Sequence, residues 1–280
     1  YDAFVIALLM LGIALFVTEY LSEEKIQTKR TMVSILAMVV GCFSKAVYIP
    51  FLALYWLMPK DKFYSRRQKN LFKAGIFVLL ILMFASFILP LIGNVTSGAE
   101  VGDYRGGDTS QTSQLSMILG YPLTYTGVLL KSLGTTFASY FIGSKVLANF
   151  AYRGIYDGIG YFVVLLTMLF TFVTDFGMTE KTYDAQMKRK ILMMKIWNAV
   201  LIFGTACLVW TALYLDFTPV GSMVINGVSP RYYLPLIFPL SLIFINQKVR
   251  CSMKLENYQS LIAFLMLIGT GISIYCLMLA

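Results

Sequence analysis

The chain has 280 residues, 58% of them hydrophobic and 13% charged, and its mean hydropathy is +0.74. Soluble domains are about half apolar and about a quarter charged, so this composition excludes a disordered chain, a nucleic-acid-binding module and an ordinary cytosolic enzyme. The formal charge is +9 and there is no histidine. Excess Lys and Arg in so apolar a chain marks cytoplasmic loops rather than a nucleic-acid partner. The missing histidine removes Ser-His-Asp triads and most zinc sites. Cys42, Cys207, Cys251 and Cys276 show no CxxC spacing and read as small apolar filler, so no metal site is assigned.

Bilayer thickness asks for about 20 apolar residues per helix. Tyr1 opens directly into a run over residues 3–19, without an initiator Met or a basic leader. The run is therefore not a signal peptide, and the chain reads as the later part of a longer membrane protein. A second run covers residues 31–58, interrupted by Ser44, Lys45 and Pro50. Further spans follow at 74–92, 159–176, 193–215, 232–247 and 259–279. Residues 121–142 are apolar but broken by Pro122, Gly127, Lys131 and Gly134, and read as interfacial. The expected fold is all-α: a single polytopic transmembrane helical bundle over residues 1–280, with about six to eight membrane helices.

Basic residues set the orientation. Lys25, Lys29 and Arg30 precede the second run, and Lys60, Lys62, Arg66, Arg67, Lys69 and Lys73 follow it. Lys181, Lys188, Arg189, Lys190 and Lys195 form a third group, and Lys248, Arg250 and Lys254 a fourth. Only Lys45, Arg105, Lys131, Lys145, Arg153 and Arg231 lie elsewhere. All four groups are then cytoplasmic. Both flanks of residues 31–58 face the same side, yet the stretch is too short for two full spans. A hairpin of two short helices with Gly41 to Lys45 near its tip satisfies this, provided other helices bury it. A single tilted helix is the competing reading, and Pro50 opposes it. The outer side then holds residues 93–157, a loop with an interfacial helix, and the short segment Asp216 to Arg231.

Charges inside spans point to function by default. Lys45 lies within the hairpin run; it reads either as a cation for an anionic lipid head group or as a snorkelling Lys. Arg231, in GVSPRYYLPLIFPL, stands at the outer mouth of a span, and its planar fork suits phosphate oxygens. Asn226 lies just upstream in the same segment. Tyr232 and Tyr233 beside Arg231 read as interfacial belt residues or as part of the same site. Asp103, Arg105 and Asp108, in VGDYRGGDTS, are a third candidate: the carboxylates fit a general base, a sugar contact or a divalent cation, and a solvated loop fits equally. Arg153 and Asp157 form a weaker pair that an interfacial anchor explains.

Three stretches carry a family resemblance: SKAVYIPFLALYWLMPKDKF, QLSMILGYPLTYTGVLLKSLGTTFASYFIG and TPVGSMVINGVSPRYYLPLIFPL. They resemble the bacterial membrane family named domain of unknown function 2142, itself related to the GT-C glycosyltransferases. The resemblance implies a GT-C-like membrane enzyme of the bacterial cytoplasmic membrane with its active face outside. Its donor would be a polyprenyl-phosphate-linked sugar, and its acceptor a cell-surface glycan or a lipid-linked precursor of one. Lys45, Arg231, Tyr232, Arg105 and Asn226 would then bind substrate. The catalytic acid of such enzymes lies in an early outer loop, which would precede Tyr1, with Asp103 or Asp108 as weaker substitutes. No cofactor is implied, and a divalent cation is optional. The alternatives are a carrier or flippase for lipid-linked glycans, and a non-catalytic scaffold of an envelope-polymer complex.

Overall fold

Two antiparallel helices open the molecule, and small residues let them touch. In the computed structural model, which describes residues 2–97, 107–150, 154–174, 184–244, 249 and 251–278, α1 spans Asp2–Leu21 and α2 spans Thr28–Cys42. A Cβ on Gly12 would stand 2.5 Å from the Met38 side chain, so glycine is what permits this approach. Ser34 Oγ donates to the Gly12 carbonyl at 2.5 Å across the same seam.

The chain then turns at Phe43–Ser44 and returns as a 3-10 helix, Ala46–Leu57. The base of this hairpin is closed: Ile26 N–H donates to the Lys62 carbonyl at 2.9 Å. The two-arm reading of residues 31–58 therefore holds, and a single tilted helix does not. The arms match in length because the return arm is overwound. Fifteen residues of α-helix rise about 22 Å, and twelve of 3-10 helix about 24 Å. Both fall short of the roughly 30 Å hydrocarbon core. Tyr48, Ile49, Phe51, Leu52, Ala53, Leu54 and Tyr55 are buried, so the return arm is apolar on every side and must sit inside the bundle. It packs against α1, α2, α3 (Arg66–Ser97) and α8 (Ala185–Phe217). Trp197 Nε1 of α8 donates to the Ala53 carbonyl at 2.9 Å.

α4 is Gln111–Gly120, α5 is Pro122–Phe141 and α6 is Ser144–Leu147. Near one end of α5, Tyr125 shares a hydrogen bond with Thr211 of α8 at 2.5 Å. Near the other, Tyr140 stacks on Trp210 at 6.1 Å. These α5 residues are about 22 Å apart along the helix, whereas Trp210 and Thr211 are adjacent. α5 thus packs on α8.

α7 (Ile159–Val173) pairs with α10 (Leu255–Met278). Gly160 lies against Gly269 and Ser273 so closely that a Cβ would fall 2.4 Å from the Gly269 carbonyl. Among the described residues four helices are long and apolar enough to cross a membrane: α1, α3 (its Arg66–Asn94 stretch), α8 and α10. The described residues contain no strand, only an isolated bridge between Asn149 and Ile155. The architecture is an all-α polytopic membrane bundle. The expected span over 232–247 is corrected: a 3-10 turn, Pro230–Tyr233, leads into α9, Leu234–Ile243. Ten residues rise about 15 Å, half a bilayer. Pro235 starts α9 and Pro239 lies inside it; a proline there removes an N–H from the ladder.

Candidate functional site

The hairpin has a charged cluster at each end. At its base, near the ends of α1 and α2, Glu19 is wholly buried. It accepts the Gln27 N–H at 3.0 Å and pairs with Arg30 at 3.4 Å. Lys62 is 1% exposed and donates to the Ser22 carbonyl at 2.6 Å, Ser22 Oγ at 2.5 Å and the Glu24 carbonyl at 2.9 Å. Burial pulls the Lys62 ammonium below the ordinary lysine range, and the Glu19 carboxylate opposes that shift. Tyr20 OH donates to the Lys190 carbonyl at 3.1 Å and Lys190 meets Asp61 at 3.5 Å, joining this base to α8. Each ammonium proton of Lys62 has an acceptor, which suits a fastening rather than a ligand site.

The hairpin tip differs. Lys45 Nζ lies 2.6 Å from Asp2 Oδ1, and Arg231 Nε lies 4.0 Å from Asp2 Oδ2. The Lys45 ammonium also sits 4.2 Å from the centre of the Tyr232 ring, and the Arg231 guanidinium 5.6 Å from it, both within cation–π range. Tyr48 OH, from the first turn of the return arm, donates to the Tyr232 carbonyl at 2.7 Å. Lys45 is 10% exposed, Asp2 28% and Arg231 54%. The cluster therefore runs from a sheltered cation to an open one.

Local sequence explains each placement. α2 ends where Phe43 N–H and Lys45 N–H bond back to Val40 and Cys42. This turn leaves Lys45 outside the helical region (φ −149°, ψ 84°) at the head of the return arm. Pro230 opens the 3-10 turn that carries Arg231, and its fixed φ suits a first helical position. Gly227 has φ +78°, and a Cβ there would stand 2.3 Å from the Phe217 ring, so the approach to the turn requires glycine. A cavity of about 360 Å³ opens between these elements, with Ser44, Lys45, Ser86 of α3, Leu213 of α8 and Tyr232 among its walls. Two cations that meet at Asp2, with hydroxyls alongside, suit an anion-binding surface.

The structure thus brings Lys45, Arg231 and Tyr232 together. Asp2 is the member that sequence reasoning missed. It is the first polar residue of an apolar helix, and only the tertiary fold reveals its partners. Tyr233 is 2% exposed, not a belt residue. Its hydroxyl accepts Trp210 Nε1–H at 2.6 Å, and the rings of Tyr140 and Phe141 stand edge-on to it at 5.4 and 4.8 Å. This aromatic packing anchors the turn. Asn226 is exposed, and its backbone N–H donates to Thr218 Oγ1 at 3.0 Å. Asp108 is exposed and its carbonyl accepts from Val220 N–H at 3.1 Å. Asp103, Arg105 and Arg153 lie outside the described residues.

A family model described as a predicted membrane protein, domain of unknown function 2142, matches residues 1–240. The match takes in both ends of the hairpin, the Pro230–Tyr233 turn and most of α9, and stops before α10. No curated protein and no solved structure matches the chain. The chain belongs to the domain of unknown function 2142 family.

Proposed function

We propose that the chain is the membrane core of a glycosyltransferase that takes a polyprenyl-phosphate-linked sugar as donor. Transfer would occur at the extracytoplasmic face of the bacterial cytoplasmic membrane, to a cell-surface glycan or its lipid-linked precursor. The observation that carries this reading is the meeting of Lys45 and Arg231 at the Asp2 carboxylate, beside a cavity that Lys45 lines.

In the transfer, an acceptor hydroxyl oxygen bonds to the anomeric carbon. The bond from that carbon to the phosphate oxygen breaks, and its electron pair leaves with the phosphate. Lys45 and Arg231 stabilise the charge that grows there, more in the transition state than in the bound donor. The acceptor proton passes to a carboxylate. Among the described residues Asp2 is the carboxylate that meets both cations, and it takes the role expected of Asp103 or Asp108. A phosphate arriving on Lys45 competes with Asp2 for the ammonium and frees the carboxylate for that proton. A single displacement inverts the anomeric configuration.

A carrier reading draws less support. Among the described residues the buried charged side chains, Glu19 and Lys62, lie at the hairpin base, and no buried charge lies between them and the Lys45 end. A polar track through the bundle is what a carrier of charged glycans would need.

The test uses membranes holding the full-length protein and a radiolabelled polyprenyl-phosphate sugar. Labelled glycan is expected from the wild type. Arg231→Ala should lower transfer by about a hundredfold or more while the protein accumulates normally. Full activity in that variant overturns the assignment. Labelled lipid that crosses the bilayer without a new glycosidic bond supports a carrier instead.

A further inference from the structure

A crevice of about 450 Å³ lies between the end of the return arm and α3, and nothing in the transfer chemistry uses it. Trp56 of the arm lines it with Phe77, Ile81, Phe84, Ile88 and Leu89 of α3. The Trp56 ring stands 6.4 Å from that of Phe77 and 6.3 Å from that of Trp197 on α8. Trp56 is 37% exposed, and indoles of this kind settle at head-group level. The crevice therefore starts at the membrane interface on the side of the hairpin base and runs inward. Phe77 and Leu89 are about 18 Å apart along the helix, close to half of the roughly 30 Å hydrocarbon core.

The same stripe of α3 turns basic at that interface. Lys69, Lys73 and Phe77 follow one another at four-residue spacing, so they share a face. Lys73 Nζ donates to the Trp56 carbonyl at 2.8 Å. That bond holds the ammonium at the mouth of the crevice and uses one of its three protons. Both lysines are partly buried, and among the described residues neither is ion-paired to a carboxylate. α3 opens on Arg66 and Arg67, and its first turn has no acidic residue, so cations stand where the helix dipole favours an anion. The occupant that fits is an anion with an apolar tail. A zwitterionic head group brings its own cation, which two ammoniums repel. A donor lipid whose phosphate sits on Lys45 has no charge to offer at this end.

We propose that Lys69 and Lys73 hold the phosphate of an anionic phospholipid whose acyl chain lies in the α3 crevice. The site stands apart from the glycosyltransferase reading, because it lies at the other end of the hairpin and shares no residue with the Lys45 cluster. A lipid bound there packs against the last turn of the return arm and the start of α3.

The experiment reconstitutes the full-length protein in phosphatidylcholine vesicles that contain phosphatidylglycerol with a photoactivatable acyl chain. Labelling of Ile81 and Phe84 should saturate and be displaced by unlabelled phosphatidylglycerol. A phosphatidylcholine probe with the same chain should label them only in proportion to its amount, as either probe does at the exposed Leu267 on α10. Lys69→Gln removes no ion pair, so the fold should survive it, and thermal unfolding checks that. This variant should weaken phosphatidylglycerol labelling about fivefold, the worth of one basic residue beside an anionic lipid. Lys254→Gln, in the exposed segment before α10, should leave it unchanged. Equal labelling by the two probes overturns the site. An equal loss in Lys254→Gln assigns the preference to the general surface charge and overturns it too. Displacement by a polyprenyl phosphate but not by phosphatidylglycerol gives the crevice to the donor chain and overturns the phospholipid assignment.

Discussion

The two ends of the hairpin contain similar residues and do different work. At the base, Glu19 and Lys62 are buried, and each has its hydrogen bonds made by neighbouring backbone or side chains. At the tip, Lys45 and Arg231 meet Asp2, the three side chains are partly open, and Lys45 lines a cavity. A charge buried with all its partners adds rigidity, because leaving any of those partners unmet is costly. A charge that is sheltered, paired to an exchangeable carboxylate and set beside a cavity keeps its capacity for a ligand. Residue type alone does not separate these roles, since both ends hold a lysine, an arginine and a carboxylate. Burial and the neighbouring cavity separate them.

The contrast can be broken most sharply at Asp2. Asn keeps the shape of the side chain but cannot take the acceptor proton. Asp2→Asn should cut transfer by about two to four orders of magnitude, the usual worth of a general base. The lost ion pair is partly exposed, so stability should change by no more than about 1 kcal/mol. Rate per folded molecule and thermal unfolding in detergent together check this. Unchanged transfer would return the base role to another carboxylate. The opposite pattern is expected at the base. Lys62→Met leaves the Ser22 and Glu24 carbonyls without their donor in a dry setting, which should cost about 3 kcal/mol. The surviving folded fraction should transfer sugar at the wild-type rate. A fall in rate per folded molecule at Lys62 would erase the distinction between the two ends.

Much of this was legible in the sequence, and for a physical reason. Basic residues on both flanks of 31–58 forced an even number of crossings, and Pro50 argued against one helix, so the hairpin could be read before any coordinates. Lys45 and Arg231 stood out because charge is scarce at those places. What stayed hidden depends on the third dimension. The return arm's 3-10 winding has no signature in an apolar run with neither 3.6- nor 2-residue periodicity. Hydropathy extends a span over 232–247 because it does not register that Pro235 and Pro239 interrupt the backbone ladder. Asp2 carried no motif. Its importance comes from Lys45 and Arg231, which are brought to it by the α1–α2 pairing and by the packing of α9 on α1 and α8. Tyr232 and Tyr233 are adjacent in sequence and alike in chemistry, yet one walls the cavity and the other is locked to Trp210.

The finest test of the comparison is the hydrogen bond that ties the return arm to the turn. Tyr48 OH donates to the Tyr232 carbonyl at 2.7 Å, so it sets the distance between the arm that follows Lys45 and the turn that holds Arg231. Tyr48→Phe removes one oxygen and keeps the ring, so the bundle core remains filled. The lost hydrogen bond is worth about 1 kcal/mol. If it serves only to stabilise, unfolding shifts by that amount and transfer is untouched. If it positions the two cations, the donor KM should rise by about fivefold, the equivalent of the same energy, because the cations no longer hold the spacing that a phosphate bridges. The KM change is the expected result. A stability loss with an unmoved KM would assign Tyr48 to the fastening that Glu19 and Lys62 make at the other end.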